Sequence, residues 1–333
     1  MPTVTYSDHK LMKRRALLFF LLLAPFVVWA VIEWSVRTQE TLERIVAAPS
    51  GGQFILAGDV VLHVTEYGPP NAPVVLFTHG MGAWGGLWGP VLRDSCREVR
   101  CIAVDMPPFG FSSRPADMSY SREDSARRLW ALADALGAQQ VSIVGHSFGG
   151  RAAAEAALQQ PERVSRLVLL APALGLGEPA SASGGLAPRL LSVPAIGRLI
   201  VAATLANPLL LRRGLGWFMA DPNGATQEMA DVLRAPLRAK GYVDGLGSWL
   251  PLFLFAPEGG LSLQPDAYAR LTMPTLLIWG DKDRTTPLVQ GEALATLVPG
   301  VRLEVLPGIG HMPQLEATGR VQALLATHLA PIR

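Results

Sequence analysis

The sequence predicts an α/β protein whose mainly parallel β-sheet carries helices on both faces. Short apolar runs typical of buried strands recur along the chain, at 74–78, 101–105, 141–145, 166–171, 274–280 and 301–306. Helical patterns lie between most of these runs, and this alternation favours parallel strands joined by crossover helices. Residues 53–67 precede the set and predict one or two antiparallel strands ahead of it.

The helix predicted after residue 120 has well-marked ends. Ser121 and Asp124 have the spacing of a capping box at its start, and Gly137 follows its last turn. Leucines between these residues fall on one helix face, so this face is expected to pack against the sheet.

The interval from about 174 to 270 breaks the alternation of strands and helices. It is too long for a connecting loop in a compact domain. Pro and Gly divide it into short predicted helices, around 186–200, 203–219, 225–240 and 245–255. The chain is therefore divided into a basic segment with a transmembrane anchor and linker (1–50), an α/β core (51–173 and 271–333), and a helical cap (174–270).

A strand-to-helix turn around Ser147 is the most informative motif. The apolar run at 141–145 leads into Gly-His-Ser-Phe-Gly, and an Ala-rich helical stretch follows. Glycines on both sides of the serine tolerate a strained backbone and leave room for neighbouring elements, while the serine hydroxyl is pushed out of the sheet. The free N–H groups of the new helix face charge that develops there. The motif predicts that Ser147 is a nucleophile.

A serine nucleophile needs a base, and His311 is the best candidate among the six histidines. It lies in a Gly-rich loop that follows a predicted strand, where a side chain can reach the carboxyl edge of the sheet. His9, His63 and His328 lie before the apolar N-terminal run, in an early strand and in a terminal helix. His146 is expected to point away from the serine.

Asp283 is the predicted acid that orients this base. It follows the buried strand at 274–280 and completes the chain order serine, acid, histidine, which is typical of one fold. Asp281 competes for the role. An aspartate readily bonds its own backbone two residues on, so Asp281 is expected to tighten the turn instead.

A serine attack leaves a negative oxygen that needs preset hydrogen-bond donors. His79, Gly80, Met81 and Gly82 follow the strand at 74–78. The backbone N–H groups of Met81 and Phe148 are the predicted oxyanion-hole donors, and His79 is expected to organise the loop by hydrogen bonding.

These motifs resemble the α/β-hydrolase superfamily, from about Phe54 to the C-terminus. Residues 105–112 are similar to the family's Asp-x-Pro-Gly-x-Gly-x-Ser loop, although Pro108 stands where the family usually has glycine. The resemblance implies the α/β-hydrolase fold, with the interval after the sixth strand forming a helical cap over the active site.

The motifs together predict a serine hydrolase that cleaves carboxylic esters through an acyl-enzyme. The apolar residues of the predicted cap favour an apolar acyl group, so a small-molecule ester or a lipid-derived substrate is expected. An anchor followed by such a domain is similar to membrane-anchored monoacylglycerol lipases and related bacterial esterases.

Two other functions remain open. The same fold and triad cleave carbon–carbon bonds of vinylogous diketones, but such sites usually need polar or cationic groups for a diacid substrate, which an apolar cap does not favour. Some relatives with this fold are non-catalytic ligand-binding proteins. Those relatives normally carry a degraded triad, whereas every member is present here.

The N-terminal segment predicts a membrane anchor. Residues 16–32 carry no charge, and this length is at the lower end for a bilayer-spanning helix. Basic residues precede the run, so the catalytic domain of this single-pass protein is predicted on the non-cytoplasmic side. A cleaved signal peptide is the alternative, with Ala30 as a poor cleavage position.

The composition sets further limits. A net charge of +2 over 333 residues gives no reason to expect nucleic acid as a partner. No His/Cys cluster has metal-site spacing and no Gly-rich phosphate loop is present, so neither a metal nor another cofactor is expected. Cys96 and Cys101, the only cysteines, either form a disulfide or remain two thiols. No sequence feature specifies an oligomeric state.

Overall fold

The computed structural model describes residues 23–24, 26–115, 119–176, 186–255 and 259–330. Within these residues, one eight-stranded sheet has the order β1-β2-β4-β3-β5-β6-β7-β8. Its strands are β1 (Gly52–Ala57), β2 (Val60–Tyr67), β3 (Val74–Thr78), β4 (Arg100–Val104), β5 (Val141–His146), β6 (Val164–Leu170), β7 (Thr275–Gly280) and β8 (Arg302–Leu306). β2 pairs antiparallel with β1 and β4, and the remaining pairs are parallel. The predicted mainly parallel sheet with an antiparallel start is therefore confirmed.

Helices connect the strands and cover both faces of the sheet. They are α1 (26–39), α2 (Arg44–Ala47), α3 (Gly89–Ser95), α4 (Arg122–Ala135), α5 (Phe148–Gln159), α6 (Leu186–Leu191), α7 (Pro194–Ala203), α8 (Leu211–Phe218), α9 (Gln227–Arg234), α10 (Tyr242–Phe255), α11 (Leu288–Leu297), α12 (Pro313–Glu316) and α13 (Thr318–Leu329). Short 3₁₀ helices occupy Gly85–Trp88, Pro161–Arg163, Pro222–Gly224, Ala235–Arg238, Leu261–Leu263 and Pro265–Arg270.

Alternate residues of the central strands point to opposite faces of the sheet. In β3, Leu76 joins the apolar cluster that contains residues of α4, α5 and α11. Its neighbour Phe77 joins the cluster on the other face, which contains residues of α3 and α13. Because both faces are covered, the central strands are apolar throughout, as the sequence indicated.

Helices α4 and α5 owe their positions to local sequence. The Ser121 hydroxyl accepts a hydrogen bond from the Asp124 backbone N–H at 3.1 Å, and Gly137 follows α4 with φ 70°. Helix α5 lies so close to β5 that a Cβ on Gly145 would come within 2.6 Å of the Ala153 Cβ. Glycine at 145 therefore fixes how closely the helix approaches the strand that carries Ser147.

The loop after β4 is organised by the buried carboxylate of Asp105. Its oxygens accept hydrogen bonds from the backbone N–H groups of Gly85 and Phe111, and Oδ2 lies 2.9 Å from Nδ1 of His63. The Pro107–Pro108 peptide bond in this loop is cis. Near the start of β4, the two cysteines at 96 and 101 form a disulfide.

Between β6 and β7, the described residues form five α-helices, α6 to α10, which we call the insertion. The four predicted helical segments become five because Pro194 starts a separate helix, α7. Apolar side chains of the insertion share one cluster with core residues such as Phe109 and Met312. The insertion therefore packs on the loops at the carboxyl edge of the sheet.

The N-terminal helix α1 packs against the insertion. Val36 is buried in the apolar cluster of the insertion, and Glu33 pairs with Arg198 of α7 at 3.2 Å. After α1, the backbone of Leu42 forms a parallel bridge with Ala239. This segment is thus part of the folded domain.

The predicted transmembrane anchor requires correction. Residues 16–22 and Pro25 of the predicted span lie outside the described residues. In the part of the chain that the structure covers, no helix combines the length and apolar character needed to cross a membrane. The described helix α1 continues beyond the predicted span and carries the charged residues Glu33 and Arg37, so it is not apolar along its length. The described residues therefore give no support to the predicted anchor or to the single-pass localisation derived from it.

Candidate active site

Ser147 lies at the junction of β5 and α5 with an unusual backbone conformation. Its φ is 50° and its ψ is −120°, although it is not a glycine. Such a conformation is rare for L-residues and persists only where the surrounding structure enforces it. Glycines at 149 and 150 let neighbouring segments come close enough to hold this conformation. A Cβ at Gly149 would lie 2.5 Å from the backbone oxygen of His79, and one at Gly150 would lie 2.5 Å from Pro172 Cβ.

The side chain of His311 lies between the other two predicted triad members. Its Nε2 is 2.8 Å from Ser147 Oγ, and its Nδ1 is 2.8 Å from Asp283 Oδ2. The backbone N–H of His311 donates to the carbonyl of Phe218 in the insertion at 2.8 Å. The structure thus brings the three predicted residues together although they are distant in sequence.

Hydrogen bonds determine the roles of the two imidazole nitrogens. An ionised carboxylate only accepts hydrogen bonds, so Nδ1 of His311 carries the proton that it donates to Asp283. Nε2 is then free to accept the hydroxyl proton of Ser147. A neutral imidazole in this tautomer can remove that proton and later return it to a leaving group.

The two neighbouring aspartates occupy different environments. Asp283 is buried, and its oxygens accept hydrogen bonds from the backbone N–H groups of Thr285 and Thr286 and from the Thr286 hydroxyl. Asp281 instead accepts a hydrogen bond from the Gly308 backbone N–H at 2.7 Å and joins the loops after β7 and β8.

The carboxyl group of Asp283 stays ionised despite its burial. Burial alone raises the pKa of Asp283, but the hydrogen bond and charge of His311 and the hydrogen bonds from Thr286 lower it further, so the net pKa is below the usual value. A permanent negative charge next to His311 stabilises the imidazolium that forms when this base takes up a proton.

The predicted oxyanion loop lies directly beside the nucleophile. A Cβ on Gly80 would be 3.3 Å from the Ser147 Cβ, which brings the loop that contains Met81 against the elbow. His79 is buried and donates from Nδ1 to the Gly80 carbonyl at 2.8 Å, while its Nε2 accepts from the Met106 backbone N–H at 2.9 Å. Phe148 begins α5, so its N–H is among the unpaired donors of a helix start.

Aromatic side chains surround Phe148 on the side of the insertion. Trp249 and Phe253 of α10 stack at 4.8 Å, and the Phe148 ring lies 6.1 Å from the first and 5.9 Å from the second. Phe109 from the loop after β4 completes the group. By contrast, Trp217 of the insertion is 70% exposed.

Two arginines approach Phe148 from the core. Arg122 of α4 and Arg151 of α5 line a small cavity beside Phe148, together with Tyr120 and Ser125. The Arg151 guanidinium lies 5.4 Å from the centre of the Phe148 ring. A cationic cavity therefore adjoins the residue that follows the nucleophile.

Sequence reasoning missed several residues near the triad. Thr286 contacts both Asp283 and His311, and its position three residues after the acid was a usable signal. His146, which was expected only to point away from the serine, bonds to the backbone carbonyl of His311. Among the described residues, no group of three metal-ligand side chains is close enough to hold a metal ion.

Comparisons with known proteins place this site in a family. Residues 73–318 match the family model of the alpha/beta hydrolase fold, so the chain belongs to the α/β-hydrolase family and is a hydrolase. The chain is 30% identical to a 2-hydroxymuconate semialdehyde hydrolase from Pseudomonas sp. (strain CF600), over 85% of this chain and 95% of that protein.

Two solved structures illustrate the range of similar proteins. A meta-cleavage product hydrolase from Pseudomonas fluorescens IP01, in complex with acetates, is 26% identical, with a TM-score of 0.68 over 84% of this chain and 97% of that one. A membrane phospholipase A, described as a bacterial virulence factor, is 25% identical, with a TM-score of 0.62 over 95% of this chain and 98% of that one.

The relatives correct the predicted reaction. The expectation of a carboxylic ester hydrolase is wrong, because the chain matches a 2-hydroxymuconate semialdehyde hydrolase at 30% identity and a meta-cleavage product hydrolase at 26%, against 25% for the phospholipase. A triad and an apolar insertion do not distinguish an ester from a ketone, since both present a carbonyl carbon to the serine. An apolar insertion does not exclude cations for an acidic substrate, because Arg122 and Arg151 lie on core helices.

Proposed function

We propose that the chain hydrolyses a carbon–carbon bond of a 2-hydroxy-6-oxo-dienoate, the substrate class named for its relatives. The observation that carries this proposal is the likeness to a 2-hydroxymuconate semialdehyde hydrolase over 95% of that protein. The hydrogen-bonded chain of Ser147, His311 and Asp283 supports the same proposal, because it supplies a nucleophile, a base and an orienting acid.

The reaction begins at the carbonyl carbon farthest from the substrate carboxylate. His311 takes the proton of Ser147 as Oγ attacks this carbon, and the N–H groups of Met81 and Phe148 bind the resulting oxyanion. This step uses the diketo tautomer of the substrate, in which the enol O–H proton has moved to the carbon next to this carbonyl. When the tetrahedral intermediate collapses, the bond between these two carbons breaks, and its electron pair delocalises through the enone onto the oxygen at carbon 2 as a dienolate. His311 returns its proton to the dienolate.

Water completes the hydrolysis. His311 removes a proton from the water molecule as it attacks the acyl group on Ser147, and the serine hydroxyl is regenerated. For 2-hydroxymuconate semialdehyde, the products are formate and 2-hydroxypenta-2,4-dienoate, which together contain the atoms of the substrate and one water. No metal or redox partner is required for this balance.

Two regions beside the triad, one aromatic and one cationic, fit the acyl end and the carboxylate end of this substrate. We assign residues 174–270 the role of a cap that keeps bulk water from the acyl-enzyme, and the aromatic group around Phe148 supplies its inner wall. The carboxylate end requires a cation, and Arg122 and Arg151 beside Phe148 fit this requirement.

Product identification tests the proposal directly. The wild type and the Ser147→Ala variant are incubated with 2-hydroxymuconate semialdehyde, and the products are identified by mass spectrometry. We expect stoichiometric formate and hydroxypentadienoate from the wild type only. Intact substrate in both reactions, with a folded wild type, would rule the proposal out.

A further inference from the structure

His146 is a buried histidine for which the proposed reaction has no role. It precedes Ser147 in the chain and is 2% exposed. Its Nε2 lies 2.8 Å from the backbone carbonyl oxygen of His311, and its Nδ1 lies 3.2 Å from Nε2 of Gln314. The ring of His146 therefore joins the nucleophile turn to the loop that carries the catalytic histidine and to helix α12.

The partners of His146 define its tautomer. A carbonyl oxygen only accepts hydrogen bonds, so Nε2 of His146 carries the proton that it donates to His311. Nδ1 of the neutral ring is then an acceptor, and the Gln314 side-chain amide donates to it. The bonds thus run in one direction, from Gln314 through His146 to the His311 carbonyl.

His146 stays neutral in this environment. Burial, followed by the charge of the nearby His311, lowers the pKa of His146 to about 3. A ring with so low a pKa is too weak a base to compete with His311 for the serine proton, and its centre lies 5.2 Å from the centre of the His311 ring. His146 therefore acts on the triad by holding the neighbouring loops in position and not by transferring a proton.

Packing prevents the His146 ring from moving away. A Cβ on Gly80 would lie 3.0 Å from Nδ1 and 3.2 Å from Cε1 of His146, so the oxyanion loop already touches the ring. The ring is held between this loop and the His311 loop. It is also covalently next to Ser147, so a displacement of either loop is transmitted to the nucleophile.

We propose that His146 is a positioning residue that sets the distance between Ser147 Oγ and His311 Nε2. The bond from His146 to the His311 carbonyl closes a short ring of contacts through Ser147, His146 and His311. This inference rests on the proposed catalytic role of the triad, but it does not depend on which substrate the enzyme uses.

Three substitutions separate the hydrogen bond from simple packing. His146→Phe keeps a planar ring and removes both hydrogen bonds. His146→Gln places an amide donor near the position of Nε2, whereas His146→Asn reaches only the position of Nδ1. His328→Phe is the matched control, because His328 lies on α13 near the backbone of Leu167 and Pro274, at the opposite edge of the sheet.

The rate of covalent labelling of Ser147 by a fluorophosphonate is the primary measurement, since it needs the triad but not the natural substrate. We expect the Phe and Asn variants to label about 100-fold more slowly, the effect expected when a reacting group is misplaced by about 1 Å. The Gln variant is expected to stay within about threefold of the wild type because one good donor is retained.

Two further readouts distinguish positioning from general destabilisation. On the dienoate substrate, kcat is expected to fall in the Phe and Asn variants while KM changes little. The low-field proton resonance of the His311–Asp283 hydrogen bond should broaden in the Phe and Asn variants and remain sharp in the Gln variant. Thermal melting checks the fold of each variant. If the Phe variant does not fold, the comparison between the Gln and Asn variants tests the positioning role of His146.

The possible outcomes are distinct. Wild-type labelling rates in folded Asn or Phe variants would overturn the positioning role of His146, as would an equal loss in the Gln and Asn variants. Absence of Ser147 labelling in the wild type would instead overturn the catalytic role proposed for the triad, and this inference with it.

Discussion

At the scale of single residues, Asp283 and Asp281 show how two carboxylates in one loop acquire different roles. Asp283 is buried among donors that keep it ionised, whereas Asp281 fastens one loop to the next through Gly308. Both residues follow the same strand, so the difference between them comes from the direction of each side chain.

Asparagine substitutions test this division of roles. Asp283→Asn is expected to lower kcat about 10⁴-fold, because an amide that donates to Nδ1 selects the wrong imidazole tautomer. Asp281→Asn is the matched control and should retain kcat, since the asparagine side-chain oxygen still accepts from Gly308. Steady-state kinetics on the dienoate measure both, and equal losses in the two variants would contradict the assignment.

Arg151 is the residue on which recognition of an anionic substrate is most directly tested. Arg151→Met is expected to raise KM for the dienoate about tenfold or more, because a charge-assisted hydrogen bond contributes about 1.5–3 kcal/mol. Since Arg151 takes no part in the proposed proton transfers, kcat should change much less.

Two comparisons control this experiment. The methyl ester of the substrate lacks the carboxylate charge, so its KM should not respond to Arg151→Met. Arg127→Met removes an exposed arginine from α4 and should leave both substrates unaffected. An unchanged KM for the anionic substrate in Arg151→Met would show that another group binds the carboxylate.

At the scale of elements, the segment after α1 stabilises the insertion through Glu40. Its carboxylate oxygens accept hydrogen bonds from the backbone N–H groups of Gly241 and Val243, at 3.0 and 2.7 Å. These donors lie at the start of α10, the helix that carries Trp249. Glu40 therefore caps a helix from a distant part of the chain.

Removal of this cap should destabilise the protein measurably. Glu40→Ala is expected to lower the free energy of unfolding by about 1 kcal/mol, the usual contribution of an N-terminal capping side chain. Glu43→Ala is the matched control, because Glu43 forms only an exposed pair with Lys240, a kind of contact that contributes little. Urea unfolding compares the two, and an equal effect would argue against capping by Glu40.

The elements also show how far sequence reasoning reaches. The strands were predictable because an apolar run bounded by turns has few other interpretations, and the elbow was predictable because it needs glycines at fixed positions. The contacts that α1 and the residues after it make with the insertion were not predictable. They depend on Glu33 and Glu40, whose partners lie more than a hundred residues away in the sequence. From the sequence alone, the uncharged run at 16–32 predicted a membrane anchor.

At the scale of the whole molecule, the contact between buried Arg128 and the exposed carboxylate of Asp59 contributes to the response of the fold to acid. The hydrogen bond from Arg128 is the main cause that lowers the pKa of Asp59, and burial opposes it only in part. Both Arg128 Nε and Nη2 bond to this carboxylate, at 2.8 and 2.6 Å. The pair joins the turn between β1 and β2 to helix α4.

The sign of the resulting pH dependence follows from the lowered pKa. The carboxylate of Asp59 stabilises the folded state above the ordinary carboxyl pKa, and this contribution is lost as the pH falls through the lower folded-state value. The free energy of unfolding should therefore decline below about pH 4. Asp59→Asn should make this decline shallower and lower the stability at neutral pH. Asp134→Asn is the control, because Asp134 accepts a single bond from the less buried Arg163, and it should change both quantities less. Urea titrations across this pH range measure the slopes, and identical slopes in the wild type and Asp59→Asn would contradict the account.

The reaction itself was harder to predict than the fold, for a chemical reason. Esters and ketones both offer an electrophilic carbonyl, so Ser147, His311 and Asp283 alone do not specify the leaving group. The apolar character of the insertion was given too much weight, because Trp217 lies on the surface and Trp249 packs against core aromatics.

The most direct test compares two substrates that deliver the same acyl group. Both 2-hydroxy-6-oxohepta-2,4-dienoate and p-nitrophenyl acetate yield an acetyl group on Ser147, but one leaving atom is carbon and the other is oxygen. The measured quantity is kcat/KM for each substrate with the wild type, with Ser147→Ala as the blank. We predict a kcat/KM for the dienoate that exceeds the value for the ester, although the ester has the better intrinsic leaving group. Rapid turnover of the ester with no cleavage of the dienoate would contradict the proposed carbon–carbon hydrolase.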